Sequence, residues 1–557
     1  MSTGAGARRL LPQTADWRAV RRQPGRDLLA GLTVAVVALP LALGFGVASG
    51  LGAAAGLVTA VVAGALAAVF GGSNLQVSGP TGAMTVVLVP IVAQFGPGGV
   101  LTVGLLAGLI LILLALVRAG QVARYMPAPV IEGFTAGIAG VILLQQIPTA
   151  LGVHVQGERV LALTGQAVAA FVRQPQWPSL LIATAVAAAM LAGARWRPTV
   201  PFSLLAVAAA TVTTALSGLP VPTIGVLPAS LPAPSLAFLD LAAVPALATS
   251  AIAVAALAAL ESLLSATVAD GMSVGQRHDP DRELFGQGVA NLVTPLFGGV
   301  PATAAIARTA VNVRAGAGSR LAALSHALIL ALLMVVAAPL VSHIPLAALA
   351  GVLIATAIRM VEVSALAALA RASRSDGLVM ALTAATTVLL DLVTAVLVGL
   401  VLAGGLALRR IAQAVRLDRV PLDTGDHHAE EQALLAEHIV AYRLDGPLFF
   451  AAAHRFLLEL SEVADVRVVI LRMSRVSTID ASGALVLCDV VERLERRGIV
   501  VYLSGLRPGH HKALTAFGLL PRLDGLGRVF PDTPEAIAAA RAVLGQSDRT
   551  RDDGVTP

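Results

Sequence analysis

The sequence has few charged residues and a single cysteine, and each shortage narrows the class of protein. Charged residues make up 13% of the 557-residue chain, about half of the roughly 25% that is typical of soluble globular proteins. Cys488 is the only cysteine, so neither an internal disulfide nor a cysteine-based metal site can form. The composition therefore excludes a disulfide-stapled secreted domain and a zinc module.

The longest uncharged run is the most informative feature that remains. No Asp, Glu, Lys or Arg occurs between Asp27 and Arg118, and 57% of all residues are hydrophobic. A transmembrane helix needs about 20 apolar residues, so this run has room for about four passes. No soluble core requires an uncharged run of that length. The sequence therefore predicts a polytopic α-helical membrane protein in contact with lipid.

The remaining apolar runs bring the predicted number of spans to about fourteen. They lie near residues 28–50, 51–70, 80–95, 98–117, 129–150, 178–194, 199–217, 244–268, 284–298, 302–312, 321–341, 345–361, 376–391 and 392–408. Several are too short to cross a bilayer as straight helices, which requires half-helices or burial by neighbouring spans.

The formal charge of +6 does not indicate a nucleic-acid partner, because the basic residues form short clusters beside apolar runs rather than one patch. Such clusters set topology, since Arg and Lys stay on the cytoplasmic side. With a cytoplasmic N-terminus, alternation places most clusters inside, and the opposite side receives mainly Arg159 and Arg173. Both termini are therefore predicted to be cytoplasmic. The abundance of Arg, Ala and Gly favours a bacterial protein, located in the plasma (inner) membrane.

A Pro-rich stretch at residues 219–235 divides the membrane part into two sets of about seven spans. Because seven is odd, the second set crosses the membrane in the opposite sense to the first, which makes the two sets inverted repeats. Substrate sites of inverted-repeat transporters lie between the repeats near the bilayer midplane. The predicted organisation is a cytoplasmic segment (1–27), a transport domain (28–410, with repeats at about 28–217 and 244–410), a linker (411–437), a second domain (438–545) and a disordered tail (546–557).

The third span of each half opens in the same way. Pro80 and Pro301 each stand beside a threonine and small residues at the expected start of a helix, and Pro suits the first helical turn. Helix N-termini carry free N–H groups and a positive dipole end, which favour anions. We expect two short helices whose N-termini meet at one anion site. The alternative is that both prolines only mark loop-to-helix boundaries in a packed bundle.

Among the ionisable residues of the predicted spans, Glu261 and Arg308 are the candidates for function. Glu261 is flanked by apolar turns, and a charge there costs roughly 2.5–3.5 kcal/mol on insertion scales, so such residues usually carry function. Ser265 follows at i+4 on the same face, so the two could bind Na⁺, or Glu261 alone could carry a proton. Glu261 could instead be held by a structural partner such as an arginine. Arg308 is expected about two turns into the helix that begins near Pro301. Its guanidinium donors suit an oxyanion there. The alternative is that Arg308 only sets the topology as a cytoplasmic positive residue.

The character of the chain changes near residue 438 from apolar runs to alternating strand and helix patterns. The alternation indicates a small α/β domain, and Asp480 is the predicted N-cap of one of its helices. The domain carries neither a P-loop nor a dinucleotide fingerprint. Its predicted elements are a strand pair over 438–451, a helix over 453–464, a strand over 466–473, a helix over 480–497 and a strand over 499–505.

Three segments resemble the SulP family of anion transporters and its cytoplasmic STAS domain. They are Asn74–Val87, Ala259–Gly318 and Val468–Leu487, and the similarity extends over about residues 28–545. The resemblance implies a membrane domain of seven-plus-seven inverted repeats, split into core and gate, followed by the small α/β STAS domain. It also implies a homodimer and elevator-like motion of the core.

The resemblance also assigns the site residues. It implies anion binding by Phe45, Pro80, Thr81, Ala302, Thr303, Ala304 and Arg308. Glu261 stands where bicarbonate-transporting members have an Asp that binds Na⁺, and Ser265 stands for a Thr. The resemblance thus implies that a coupling cation binds at Glu261 and Ser265. If that cation is Na⁺, its ligands would be Glu261, Ser265 and Thr303. The change to Glu leaves proton coupling open beside Na⁺.

The sequence is therefore expected to encode a secondary active transporter of a small inorganic oxyanion, with sulfate as the first candidate and H⁺ or Na⁺ as the coupling ion. A Na⁺-coupled bicarbonate transporter is the alternative. From another class, an anion channel or a membrane sensor whose STAS domain binds a cytoplasmic protein stays open. An enzyme is not expected, because no nucleophile–base constellation occurs among the buried residues. No catalytic residue and no cofactor other than Na⁺ is predicted.

Overall fold

The computed structural model describes residues 9–21, 23–121, 126–155, 160–197, 200–273, 276–390, 392–414, 416–419, 434, 437–448 and 466–552. The chain forms two compact units, Met1–Ala403 and Gly404–Pro557. The first unit contains the apolar helices, and the second contains a mixed sheet with helices packed on it.

Within the described residues, the first half of the membrane unit contains seven α-helices and one short strand. They are α1 (Pro24–Ala48), α2 (Ala53–Phe70), β1 (Ser78–Gly79), α3 (Gly82–Leu116), α4 (Ala128–Ala150), α5 (Val160–Arg173), α6 (Trp177–Trp196) and α7 (Phe202–Ser217).

The second half repeats this order with shorter pieces, including a second short strand before a short helix. Its elements are α8 (Val244–Met272), α9 (Pro280–Val293), β2 (Thr303–Ala304), α10 (Ile306–Arg314), α11 (Arg320–Val336), α12 (Ala338–Val341), α13 (Leu346–Met360), α14 (Val363–Ala372), α15 (Arg374–Leu389) and α16 (Leu392–Ala414).

Helix α3 consists of two helical segments that meet at a kink, and these correspond to two predicted spans. Its 35 residues would measure about 52 Å at 1.5 Å per residue, far more than the roughly 30 Å of a bilayer core. Gly96 breaks it with a φ of 67°, and Pro97 follows. Only glycine adopts such a φ without strain, so α3 holds a half-span before Gly96 and a full span after it.

Seven of the described helical segments are long and apolar enough to cross a membrane. Shorter apolar helices, among them α7 and α11, lie beside them. Large apolar side chains such as Leu109, Leu113 and Leu116 are exposed along α3, which suits contact with lipid. The prediction of a polytopic helical membrane protein is confirmed. Helix α5, which is amphipathic, was not among the predicted spans.

The membrane helices pack in two groups. Helices α1, α2, α3, α8, α9, α10 and α11 contact mainly one another, whereas α4, α6, α13 and α15 form a second packed group with α7 against α6. The first group contains both short strands and both helices that follow them. This division matches the core and gate that the family resemblance implies.

The second unit is built on a sheet with strand order β3-β4-β5-β7-β8, with β6 paired to β4. The β3–β4 pair is antiparallel, and the other pairs are parallel. Its elements are β3 (Arg416–Arg419), β4 (Ile439–Leu448), β5 (Val468–Arg472), β6 (Val476–Ile479), α17 (Ala481–Arg496), β7 (Val500–Ser504), α18 (Pro508–Ala516), α19 (Leu519–Gly525), β8 (Val529–Phe530) and α20 (Thr533–Asp552).

The second unit differs from the sequence prediction at strand β4 and at helix α20. The predicted strand pair over 438–451 is wrong within the described residues: β4 is a single strand because β3 and β5 pair along its two edges. Helix α20 continues to Asp552, into the predicted disordered tail 546–557, since neither Gly nor Pro interrupts residues 546–552. The predicted helix over 453–464 and most of the linker 411–437 lie outside the described residues.

Candidate functional site

The two short strands join the two halves of the membrane unit at one point. Strands β1 and β2 pair antiparallel, with Ser78 opposite Ala304 and Gly79 opposite Thr303. The Ala305 N–H extends the pairing by donating to the Val77 carbonyl at 3.0 Å. Backbone bonds between the repeats therefore set the positions from which α3 and α10 begin, and the starts of both helices lie at this crossing.

This pairing corrects the expected role of the two prolines. Helix α3 begins at Gly82 with Thr81 as its N-cap, and α10 begins at Ile306 with Ala305 as its N-cap. Pro80 and Pro301 therefore lie before the helices rather than in their first turns. In the second repeat, strand β2 separates Pro301 from the start of α10, whereas in the first repeat Pro80 directly follows strand β1 and α3 begins two residues later.

Phe45 and Thr81 lie at the start of α3. The Thr81 hydroxyl accepts a hydrogen bond from the Met84 N–H at 3.4 Å. A methyl group placed on Gly82 would lie 3.1 Å from the Phe45 ring. Phe45 therefore stands beside the first residue of the helix, where the backbone N–H groups have no partner within the helix.

Glu261 reaches the same point from α8. The Thr81 hydroxyl donates to Glu261 Oε2 at 2.9 Å, and Thr303 lies beside the same carboxylate. Thr81, the N-cap of α3, thus bonds the carboxylate directly, and Thr303 of strand β2 lies near it. The structure therefore brings Glu261, Thr81 and Thr303 to one place.

Ser262, which sequence reasoning missed, anchors strand β2. Its hydroxyl lies 3.0 Å from the Thr303 hydroxyl and accepts the Ala304 N–H at 3.2 Å. Since Ser262 is the neighbour of Glu261 on α8, this helix both supplies the carboxylate and fixes the strand before α10. The signal was a serine directly after Glu261, the carboxylate in the middle of an apolar helix.

Ser265 is directed elsewhere. Its hydroxyl donates to the Thr309 hydroxyl at 2.9 Å, and Thr309 also accepts the Val77 N–H at 3.1 Å. Ser265 is fully buried in this arrangement. The structure thus uses Ser265 to tie α8 to α10 and to the chain before β1, and its hydroxyl bonds Thr309 rather than Glu261.

Arg308 is buried in the first turn of α10, with only 2% of its surface exposed. The sequence placed it two turns into a helix from Pro301, but the later helix start moves it to the third helical position. Its Nη2 donates to the Pro80 carbonyl at 2.7 Å. A methyl group on Gly79 would lie 2.6 Å from Arg308 Nη1, so the guanidinium lies directly against strand β1.

Ala302 is held by an amide side chain that the sequence analysis also missed. Asn291 on α9 accepts the Ala302 N–H at 2.8 Å through Oδ1 and donates to the Ala302 carbonyl at 2.8 Å through Nδ2. The two bonds replace a strand partner for this residue. Among the predicted site residues, Ala302, Thr303 and Ala304 therefore form one extended segment that α8 and α9 hold from two sides.

Amide side chains support strand β1 in the same way. Gln287 Nε2 donates to the Ser78 hydroxyl at 2.6 Å, Gln76 Nε2 to the Ser262 carbonyl at 3.0 Å, and Asn312 Nδ2 to the Leu75 carbonyl at 2.7 Å. Extended backbone inside a membrane is tolerated only where its polar groups are satisfied by protein. Amides in apolar segments were the sequence signal for these supports.

Comparison with known proteins agrees with this architecture. The family model described as the sulfate permease family matches residues 25–383, and the STAS domain model matches residues 432–536. YvdB of Bacillus subtilis, whose name assigns it provisionally to sulfate transport, is 36% identical over 517 residues, 89% of this chain and 94% of that protein. The bicarbonate transporter BicA of Synechocystis is 30% identical over 539 residues, 93% and 94% of the two chains.

Solved structures give the same picture. The structure of the murine solute carrier 26 family member A9 anion transporter in the inward-facing state superposes with a TM-score of 0.82 at 18% identity, over 97% of this chain and 95% of that one. At that identity the likeness shows the fold alone. The transmembrane domain of a cyanobacterial BicA has a TM-score of 0.63 and 33% identity, over 67% of this chain and 98% of its own. The chain is a membrane transporter rather than an enzyme, and it belongs to the sulfate permease family with a C-terminal STAS domain.

Proposed function

We propose that this protein is a secondary active transporter of a small inorganic oxyanion, with sulfate as the substrate and Glu261 as the coupling group. The observation that carries the proposal is the β1–β2 crossing, which brings the starts of α3 and α10, Arg308 and Glu261 to one place. The anion would bind to Phe45, Pro80, Thr81, Ala302, Thr303, Ala304 and Arg308.

The helix starts supply the attraction for an anion. The first N–H groups of α3 and α10 have no partner within their helices, and each helix dipole adds about half a positive charge at its start. Arg308 contributes a full positive charge against strand β1. Together these groups suit an oxyanion without requiring a lysine, and the chain has only Lys512, which lies in the STAS domain.

Glu261 supplies the reason for coupling. An ionised carboxylate that accepts the Thr81 hydroxyl lies one side chain away from the proposed anion site. Two negative charges at such short range repel each other strongly in a low-dielectric interior. A cation bound at Glu261 removes that repulsion, so the anion and the cation bind and move together.

The arrangement favours H⁺ over Na⁺ as the coupling ion. Na⁺ needs several oxygen ligands, and the predicted ligand Ser265 donates to Thr309 instead of facing Glu261. A proton needs only the carboxylate itself. A Na⁺ site at Glu261, Thr303 and Ser265 would have to use the lone pairs of Ser265 Oγ while its proton is donated to Thr309.

The division into packed groups supports an elevator-type cycle. All of the proposed site belongs to the group that contains α1, α3, α8 and α10, so that group can carry the site as one body past the group of α4, α6, α13 and α15. We further propose a homodimer in the bacterial inner membrane with both termini in the cytoplasm, a topology that the arginine clusters favour.

The test is uptake of labelled sulfate and labelled bicarbonate into proteoliposomes under imposed pH or Na⁺ gradients. The proposal expects sulfate to accumulate under an inward proton gradient. Bicarbonate uptake without sulfate uptake would instead establish the second candidate, which the similarity to BicA favours. Gradient-independent flux would indicate an anion channel, and ligand binding without flux would indicate a sensor acting through its STAS domain.

A further inference from the structure

A carboxylate from the N-terminal segment lies between two buried arginines of the membrane unit. Asp16 belongs to a short 3₁₀ turn, Thr14–Trp17, that precedes α1. Its oxygens accept hydrogen bonds from Arg282 Nη1 at 3.0 Å and Nη2 at 2.6 Å. Arg320 Nη2 lies 3.9 Å from the same carboxylate. The two arginines, on α9 and α11, are only 7% and 2% exposed.

Arg320 holds the end of α2. Its guanidinium donates to the carbonyls of Ala68 at 3.2 Å and Gly71 at 2.7 Å, and its Nε donates to the Asn74 side chain at 2.9 Å. The two carbonyls lie at the end of α2, where carbonyls have no partner within the helix. Asn74 lies in the segment that leads from α2 to strand β1. The position of Arg320 therefore sets where that segment leaves α2.

Helix α9 holds the same segment from its other side. Glu283, next to Arg282, accepts the N–H groups of Gly72 at 2.9 Å and Ser73 at 3.2 Å. Gln287, one turn further, donates to both Glu283 at 2.9 Å and the Ser78 hydroxyl at 2.6 Å. Any displacement of the start of α9 is thus transmitted to strand β1 through two side chains.

Asp16 is the only carboxylate within ion-pair distance of Arg282 or Arg320 among the described side chains. Without it, Arg320 would keep only the more distant Glu283 as a counter-charge, and the loss of one partner of a buried ion pair is strongly destabilising. The repulsion between the Arg282 and Arg320 guanidinium groups would push the starts of α9 and α11 apart. The segment between α2 and β1 would then lose its fixed position.

This cluster acts as a permanent tie rather than a pH switch. Burial alone would raise the pKa of the Asp16 carboxyl, but the hydrogen bond from Arg282, with the charges of Arg320 and Arg282, holds that pKa below its usual range. A carboxyl whose pKa is lowered by folding contributes its stabilisation above the unfolded pKa of about 3.9 and loses it only in stronger acid. Asp16 therefore stays ionised throughout the physiological range.

We infer that Asp16 is a positioning residue for anion binding, and that the N-terminal segment is a working part of the transport core rather than a tail. The inference rests on the proposed anion site at strands β1 and β2. Asp16 acts there indirectly, by neutralising Arg282 and Arg320 so that α9 and α11 hold the segment that enters β1.

The experiment uses the full chain in proteoliposomes and measures KM and kcat for sulfate separately. Asp16→Asn is expected to raise KM about tenfold, the scale of a lost charge-assisted hydrogen bond, with a smaller change in kcat.

The charge exchange Asp16→Arg with Arg282→Asp keeps one carboxylate between two cations and should recover most of the lost affinity, whereas Asp16→Arg alone should be worse than Asp16→Asn. Asp524→Asn, an exposed carboxylate of the STAS unit, is the matched control.

A second readout does not depend on transport. Hydrogen exchange of the purified full chain should be faster at residues 71–79 in Asp16→Asn than in the wild type, and should return toward the wild-type rate in the charge exchange. An Asp16→Asn protein with wild-type KM and exchange would overturn the inference, as would a fall in folded yield with unchanged KM. If neither the wild type nor Asp524→Asn takes up sulfate or bicarbonate, the proposed function fails, and the exchange rates at 71–79 alone then decide whether Asp16 positions β1.

Discussion

Thr81 donates a hydrogen bond of 2.9 Å to Glu261, although 180 positions separate the two residues in the chain. Thr81 is the N-cap of α3 in the first repeat, and Glu261 lies within the first helix of the second repeat. The hydroxyl thus contacts both the proposed coupling group and the helix start that would face the anion. A change in the protonation of Glu261 would therefore alter the hydrogen bonding of Thr81 at the proposed anion site.

Replacement of Glu261 by Gln should abolish gradient-driven accumulation of the anion. The amide is isosteric with the carboxyl, but it neither takes up a proton nor attracts Na⁺, so the cycle loses its coupling ion. We expect downhill sulfate exchange to remain within about tenfold of wild type, because the anion no longer faces a negative charge. Counterflow and gradient-driven uptake in the same vesicles separate the two effects.

The matched control is Glu362→Gln, an exposed carboxyl at the start of α14, which should leave both assays unchanged. Full accumulation by Glu261→Gln under a proton gradient would refute a coupling role for Glu261.

Arg308→Gln should weaken anion binding by about 10- to 100-fold, the range of about 1.5–3 kcal/mol for hydrogen bonds to charged groups. The substitution removes the positive charge against strand β1 and the donor to the Pro80 carbonyl. Arg308→Lys should recover only part of the affinity, because one ammonium cannot reproduce the planar guanidinium. Equilibrium binding of labelled sulfate to purified protein measures the effect.

Arg314→Gln at the other end of the same helix serves as the control for that series. Equal losses in the two glutamine variants would mean that Arg308 contributes only to general folding or topology.

Gly79→Ala should abolish anion binding without unfolding the protein. Its Cβ would lie 2.6 Å from Arg308 Nη1, and the φ of 153° is one that residues with side chains rarely adopt. Either strand β1 or the guanidinium must move, and both belong to the proposed site. Gly140→Ala, where the new methyl group would meet only Val388 at 3.5 Å, should bind like the wild type. Wild-type sulfate affinity in Gly79→Ala would contradict the placement of the site at the crossing.

The STAS unit should become less stable as pH falls below about 6.5, the usual pKa of histidine. His510 Nδ1 accepts the Arg507 N–H at 3.2 Å, and Nε2 bonds the Val476 carbonyl at 3.0 Å. Burial, with the nearby charges of Arg507 and His511, outweighs the bond to Val476 and lowers the pKa of His510. Protonation removes the acceptor for Arg507, so the folded state loses stability once the unfolded chain binds the proton more readily.

The expected loss is about 1 kcal/mol, the worth of one hydrogen bond. Hydrogen exchange at α18 in the full chain, corrected for intrinsic rates at pH 7.5 and 5.5, measures it. His510→Gln should remove most of the pH dependence, and an unchanged pH dependence in that variant would exclude His510 as its source.

The sequence was sufficient to predict the membrane class and the meeting of two helix starts, because these follow from local features such as uncharged runs and the matched Pro80 and Pro301 segments, but it missed helix α5. It also predicted that Asp480 caps α17, and the Asp480 carboxylate does accept the Gly483 N–H at 2.6 Å. The helix starts at Gly82 and Ile306 were not predictable, since they depend on pairing between residues far apart in the chain.

The side-chain contacts of the site were harder to predict for the same reason. Ser265 shares a helical face with Glu261, yet its hydroxyl bonds Thr309 on α10. Asp16 lies in a segment that composition marks as an ordinary cytoplasmic tail, and only the fold reveals the two buried arginines that it neutralises. Periodicity fixes which face a residue occupies but not what stands opposite that face.

The pairing of Gly79 with Thr303 and of Ser78 with Ala304 uses only main-chain atoms. Substitutions at Ser78, Thr303 and Ala304 can therefore alter the lining of the crossing while the spacing between the two helix starts is kept, whereas Gly79 has no room for a side chain beside Arg308. The side chains around the proposed anion site can in this way change one at a time during evolution while the β1–β2 pairing is kept. Such tolerance offers a physical basis for relatives named for sulfate and for bicarbonate within one architecture.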